Sequence, residues 1–254
     1  MSTYGTYLSA SGMMHAAQRI DMIANNLANL ETAGFKRTLA TIAERRPAQV
    51  SRVDERNKIG GGPWMGPTEL DMSQGAFEPT GNPLDVALLG PGFIATAGID
   101  GDDLHLTRDG GFTVDENGYL VTNNAFPRHV LDHEGEPINL AGVPRGKLAI
   151  NKDGTITDAN SNPIARIGMF EPTSPGNLRP EEGNQFTGVD TFADLRLSAG
   201  TELRSGFTER ANTDPTVEMT RMLQAQRQLE ANAKMIQHQD NATDKLVNQV
   251  GKIS

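Results

Sequence analysis

"RIDMIANNLANLETAGFKR" (residues 19–37) carries two patterns at once. Ile20, Ile23, Leu27 and Leu30 recur at 3-4-3 spacing, and Met13 and Ala16 carry the row backwards, which predicts a helix over roughly residues 3–32. Gly34 follows the last apolar tooth and fits a left-handed helix stop, where the missing Cβ removes a steric cost. Asn25, Asn26 and Asn29 interrupt this row, although Asn is a mediocre helix former because its side chain competes for nearby backbone groups. These amides therefore call for a role beyond solvation.

The far end of the chain answers with the same chemistry. In "NTDPTVEMTRML", Asp214 suits an N-cap, Pro215 the first helical position, and Glu218 the positive end of the helix dipole. A helix is predicted from there to the end of the chain, about 57 Å long. Its apolar row is Met222, Leu229, Ile236, Thr243 and Val250, flanked by Leu246 and Ile253. Ten of the 43 residues from 212 to 254 are Asn or Gln. An amide donates and accepts at once and is far cheaper to bury than an ion.

Two narrow apolar seams at the two ends of one chain need partners, and the economical solution packs them on each other. The amide-rich flanks then suit contact with further copies of the chain. The alternative is a solvated antiparallel hairpin in which the amides are incidental, or in which Asn232 and Gln239 set register within the pair.

Between the helices lies strand-and-turn sequence. "FTVDENGYLVT" sets Phe112 and Val114 against Tyr119 and Val121 across Asn117-Gly118, and "KLAINKDGTIT" sets Leu148 and Ile150 against Ile156 across Asp153-Gly154. The predicted fold is a mainly β middle domain, barrel- or sandwich-like, with long N- and C-terminal α-helices pairing as a coiled coil. Its expected parts are a helical domain from 1–36 plus 212–254, a connector over 37–67 containing Pro47, Gly60-Gly61-Gly62 and Trp64, and a β-rich domain over 68–211.

Composition excludes several classes. A net charge of −9 over 254 residues argues against nucleic acid, and Lys36, Arg37, Arg45 and Arg46 read as an exposed linker face. The absence of cysteine rules out disulfides and thiolate chemistry. No stretch is long and apolar enough to span a bilayer, so no membrane insertion is expected, and no ordinary secretion signal is recognisable. By themselves these features point to the cytosol.

No nucleotide-binding, nucleophile-elbow or zinc-protease motif occurs. Asp158, Asn160 and Asn162 begin like a calcium loop, but Pro163 replaces the required Gly, so a turn is expected. His129 and His133 share strand parity beside Asp132 and Glu134, yet lack a third ligand. His15, His105 and His238 read as polar surface. No catalytic residue, metal site or cofactor is expected.

The stretch "LSASGMMHAAQRIDMIANNLANLETAGFKR" resembles the N-terminal signature of bacterial flagellar rod and hook proteins, the axial subunits of the basal body. Asn25, Asn26, Leu27, Ala28, Asn29, Thr32, Gly34, Phe35 and Lys36 all match it. The resemblance continues through "GNPLDVALLGPGFI", "LTRDGGFTVDENGYLVT" and "RMLQAQRQLEANAKMIQHQD". Leu229 replaces a usual aromatic, "ANTDP" replaces a usual Ser-Asn-Val start, and Ala125 a common Gly, which leaves the position within the rod open.

This resemblance implies a structural subunit of the basal-body rod that stacks helically into the torque-transmitting axial tube, exported by the flagellar type III apparatus without a cleaved signal. That moves the expected location from the cytosol to the flagellum. The implied partners are further copies, other flagellar axial proteins and the export apparatus. The candidate assembly residues are Met13, Ile20, Ile23, Asn25, Asn26, Leu27, Asn29, Leu30, Gly34, Phe35, Met222, Leu229, Asn232, Ile236 and Val250. A hook-type subunit or a flagellar assembly factor is the nearest alternative. A β-domain binding module or enzyme with helical anchors is a remote one, and would need a pocket with converging polar groups in the β-rich middle.

Overall fold

The structure, a computed structural model, describes residues 2–44, 63–99, 103–143, 148–189 and 191–250. The chain divides into two compact units. Unit 1 comprises Met1–Ala28, Thr38–Asp71 and Thr213–Ser254; unit 2 comprises Asn29–Arg37 and Met72–Asn212. This division departs from the expected one at the connector and at the end of the first helix.

Unit 1 is built on two helices, α1 (Ser2–Ala28) and α2 (Pro215–Val250), which pack against each other. The start of α2 follows its sequence signals. Asp214 Oδ1 accepts from the backbone N–H groups of Thr216 at 2.8 Å and Val217 at 3.2 Å, satisfying two donors the first turn cannot pair internally. Helix α1 stops at Ala28, four residues short of the expected end. There Asn29 and Thr32 form a turn, with Thr32 N–H donating to the Asn29 carbonyl, and Gly34 takes φ +69°.

The described residues of the expected connector, 37–44 and 63–67, are mostly in strand. Its ends form a two-stranded antiparallel sheet, β1 (Thr38–Glu44) and β2 (Pro63–Leu70), running from Thr38 opposite Leu70 to Glu44 opposite Pro63. The β-branched residues of "TLATIAE" favour a pleated strand, a signal masked in the sequence by the polar and Pro/Gly-rich residues around it. Pro47 and Gly60-Gly61-Gly62 lie outside the described residues, as does the side chain of Trp64.

Unit 2 is β-rich. Its largest sheet has nine strands: seven in the order 179–181, 185–187, 104–107, 93–97, 129–130, 120–122, 112–114, with 169–172 paired to 93–97 and 195–197 paired in turn to 169–172. The other sheets are a three-stranded meander over 149–166 and two two-stranded pairings, 202–205 with 86–89 and 207–209 with 77–79. Every strand pairing among the described residues is antiparallel. Ile150 faces Ile156 as the sequence predicts, whereas Val114 faces Leu120 and Phe112 faces Thr122, one residue off the expected Tyr119 and Val121; both turns are closed by a positive-φ glycine (Gly154, Gly118).

The core of unit 2 gathers Val86, Leu88, Ile94, Phe112, Leu120, Val130, Leu140, Ile156 and Leu203. Phe93 and Phe186 meet edge-to-face beside it, with ring centroids 5.6 Å apart.

Candidate assembly interface

The helix pair is the first candidate site. On α1 the buried residues are Ser9, Gly12, Ala16, Ile23 and Asn26, spaced 3-4-7-3. On α2 the matching line is Glu218, Met222, Ala225, Leu229, Asn232, Ile236 and Gln239, of which Glu218 and Ala225 are buried and the rest half-buried. A Cβ built on Gly12 would stand 2.7 Å from Asn232 Nδ2, and one on Gly5 would stand 2.6 Å from Gln239 Nε2. Two pairs seven residues apart, running in opposite senses, fix an antiparallel register. Glycine is used where an amide must lie close to the opposing helix.

This seam corrects the expected one. Ile23 is 4% exposed and central, but Met13, Ile20 and Leu27 stand one position along from the buried row and are only half-buried. Leu30 lies beyond α1, in unit 2. Thr243 is exposed, and the side chain of Val250 lies outside the described residues, as do those of Leu246 and Ile253. The expected Met222, Leu229 and Ile236 lie on the α2 line, but on α1 Gly, Ser and Ala fill much of the row where large apolar residues are expected.

The helices consequently carry uncovered apolar side chains. Met14 is 67% exposed and Leu223 56%, and Tyr7, Leu8, Val217, Met219 and Met235 are also exposed. Singly exposed apolar residues are ordinary, but here they recur along both helices of the pair.

The amides separate into distinct roles. Asn26 is buried, and it donates to the Thr38 carbonyl and accepts from the Thr38 N–H, each at 3.0 Å. Both halves of its amide are engaged inside the chain, which removes it from any surface offered to a second copy. Asn29 accepts from the Thr32 hydroxyl at 3.1 Å. Asn25 is exposed. Asn232 and Gln239 lie in the intramolecular seam, the register-setting alternative.

Where α1, α2 and β1 meet there is an open cleft of about 240 Å³, lined by Arg19, Met22, Ile23, Asn26, Thr38, Leu39, Ala40, Glu218 and Arg221. The Glu218 carboxylate in it is paired with Arg221 at 2.6 Å.

Unit 2 holds the second cluster. Lys36, expected on an exposed basic face, is buried: Nζ lies 2.6 Å from Glu209 Oε1, and neither side chain is exposed at all. Nζ also donates to the Ser73 carbonyl at 2.8 Å, and Glu209 Oε1 accepts from Gly75 N–H at 2.8 Å. Arg108 approaches Glu209 Oε2 at 3.6 Å, donates to the Gly90 carbonyl at 2.8 Å and lies over the Phe93 ring at 4.9 Å. Burial lowers the Arg108 pKa from its ordinary value, and Glu209 opposes that shift. Gly34 N–H donates to the Glu209 carbonyl at 2.6 Å, while a Cβ on Gly34 would meet the Arg108 carbonyl at 2.5 Å. Phe35, half-buried, accepts through its carbonyl from Asn212 N–H at 3.4 Å. Arg37 is half-buried, and Arg45 and Arg46 lie outside the described residues.

Other titratable groups have structural settings. Burial, with repulsion from Asp85, raises the Asp109 carboxyl to about 6 against the lowering effect of the Gly111 N–H. Asp158 accepts from the backbone of Asn160 and Asn162 in the expected turn, which lowers its pKa. His105 is buried rather than on the surface, with Nε2 2.7 Å from Glu181 Oε2. His129 packs on Tyr119, with ring centroids 4.7 Å apart. Among the described residues no group of three or more His, Asp or Glu side chains could hold a metal ion, and no helix is long and apolar enough to cross a membrane.

The extremities match known families. Residues 7–36 match the family described as "Flagella basal body rod protein", and residues 204–250 match "Flagellar basal body rod FlgEFG protein C-terminal". The chain is 32% identical to the flagellar basal-body rod protein FlgG of Bacillus subtilis (strain 168), covering 95% of this chain and 97% of that one. The chain belongs to the flagellar basal-body rod protein family. Within that family it is also 30% identical to FlgF of Rhizobium meliloti (strain 1021), over 97% of this chain and 98% of the relative. It is 29% identical to the hook-basal body complex protein FlhP of Bacillus subtilis (strain 168), over 86% and 89%. Rod-family proteins are structural rather than enzymatic; the first matched segment covers α1 from residue 7 onward, and the second covers all of α2.

Proposed function

We propose that this protein is a structural subunit of the bacterial flagellar basal-body rod, whose copies stack helically into the axial tube that transmits torque. Its helix pair acts as a short antiparallel coiled coil on the inner side of that tube, and the β-rich unit forms the outer part. The observation that carries the reading is the uncovered apolar set on α1 and α2: Tyr7, Leu8, Met14, Val217, Met219, Leu223 and Met235 are exposed, with Met13, Ile20 and Leu27 half-buried beside them. Heterologous contacts between such faces that fail to close into a ring produce a filament.

Asn25, Met13, Ile20 and Leu27 are the residues of the expected set best placed to meet neighbouring subunits. Ile23, Asn26, Met222, Leu229, Asn232 and Ile236 act one step earlier, by holding the helix pair together. Gly34 and Phe35 act within the β-rich unit. Other axial proteins of the basal body are the further partners, and export proceeds through the flagellar type III apparatus. This places the working protein in the rod of the basal body.

Leu27→Asp tests the interface. It is expected to prevent incorporation into purified basal bodies, followed by mass spectrometry, while amides of the central sheet of unit 2, such as Ala95 and Leu106, keep their protection from hydrogen exchange. Normal incorporation of the variant would remove Leu27 from the interface, and absence of the wild-type chain from basal bodies would remove the rod assignment in favour of an assembly factor.

A further inference from the structure

The chain passes between its two units four times, at residues 28/29, 37/38, 71/72 and 212/213. On the unit 2 side these passages belong to three short segments, 29–37, 72–75 and 209–212, which are far apart in sequence. Lys36 joins all three, through Glu209 at 2.6 Å and the Ser73 carbonyl at 2.8 Å. Asn212 joins them again. Its Oδ1 accepts from Arg37 N–H at 2.8 Å, and its Nδ2 donates to the Ser73 carbonyl and hydroxyl, each at 3.1 Å. Glu209 reaches Gly75 through its side chain and Gly34 through its backbone.

From this convergence we infer that Lys36, Glu209 and Asn212 form a clasp that binds the chain crossings into a single rigid base on unit 2. A lone covalent crossing is a swivel, because two soft backbone torsions per residue let it turn. Several crossings held to one another cannot turn independently. A buried ion pair is a poor choice for stability alone, since apolar residues of similar volume commonly serve as well, but it specifies one geometry. The three functional groups here do that: each bonds to at least two of the three segments. The local claim stands on the geometry of unit 2; its purpose, keeping twist from dissipating where the chain leaves the β-rich unit, rests on the rod reading.

Hydrogen exchange on the full-length chain tests the clasp, measured residue by residue in Lys36→Met, Glu209→Gln and Asn212→Ala. Glu209→Gln keeps the shape but removes the carboxylate that pairs with Lys36, and Asn212→Ala alters a residue outside the apolar core and leaves no buried charge unpaired, so at least the latter retains a folded unit 2. The Arg37, Gly75 and Asn212 amides are expected to exchange at least about tenfold faster in the variants, while Ala95 and Leu106 in the central sheet keep their protection. Lys152→Met, at an exposed lysine, serves as the control and is expected to change neither set.

Unchanged exchange at the three amides would overturn the clasp. Equal loss at Ala95 and Leu106 would overturn it too, reducing these residues to ordinary core supports. Cells carrying Glu209→Gln are expected to incorporate the subunit and to swim more slowly than wild type only in viscous medium; equal slowing in dilute medium would overturn the mechanical role. Absence of the wild-type chain from basal bodies would sink the rod reading yet leave the exchange result standing.

Discussion

The seam between α1 and α2 and the interior of unit 2 solve the problem of burial differently. Unit 2 surrounds a continuous apolar core with antiparallel strands and seals Lys36, Arg108 and Glu209 inside it with specific partners. Unit 1 builds its seam largely from Gly5, Ser9, Gly12 and Ala16 against Ala225, Asn232 and Gln239, with Ile23, Met222, Leu229 and Ile236 as its large members. Hydrophobic stabilisation scales with the apolar area removed from water, so the second arrangement gains much less. Its larger side chains instead face outward at Tyr7, Met14, Leu223 and Met235. The β-rich unit covers most of its large apolar side chains internally, whereas the helix pair leaves several of its own uncovered.

Four substitutions test this contrast, beginning with the largest effect. Gly34→Val forces a β-branched residue into φ +69° and drives its Cβ against the Arg108 backbone. Unit 2 is expected to lose about 4 kcal/mol in denaturant unfolding. Ile23→Ala removes the best-buried large side chain of the α1 seam and is expected to cost about 3 kcal/mol, read from the helical circular dichroism signal. Amide protection at Ala95 and Leu106 in unit 2 should not move; if both readouts shift together, the two units do not differ in the way described.

The third concerns pH. The Asp109 carboxyl is raised to about 6 in the folded chain, above its unfolded value, so the folded state binds the extra proton between roughly pH 4 and 6. Its effect on stability is therefore most favourable below that window and is lost as pH rises through about 6. Asp109→Asn is expected to stabilise unit 2 by about 2 kcal/mol at pH 7.5 and to leave it little changed at pH 4, in urea titrations at the two values.

The smallest effect lies in the seam. Gly12→Ala gains about 1 kcal/mol of helix propensity but crowds Asn232. In the Asn232→Ala background the same change is expected to stabilise by about 1 kcal/mol, and in the wild-type background by less, so that a double-mutant cycle reports the Gly12–Asn232 contact.

Local signals in the sequence carried far. The Asp214-Pro215 start of α2 and the Ile150–Ile156 pairing depend on neighbours within a few residues, and both stand where expected, whereas α1 ends at Ala28, before the glycine expected to stop it. What escaped depends on contacts distant in sequence. Lys36 reads as a surface charge because its partners are Ser73 and Glu209, 37 and 173 residues away. The β1–β2 sheet escaped because its pairing joins the two ends of a polar stretch. The seam was displaced by one position because apolar periodicity measures size, whereas closely packed helices select for smallness; Gly5 and Gly12, seven residues apart, were the available signal.

The Asn26 amide has a consequence for solubility. By donating to and accepting from the backbone of Thr38, it acts as an artificial rung on the outer margin of β1. An open strand margin is a template for foreign strands, and proteins commonly guard it with charge, proline or a covering element. Here the guard is one carboxamide projected from a helix, which blocks that margin at its first residue against runaway cross-β growth.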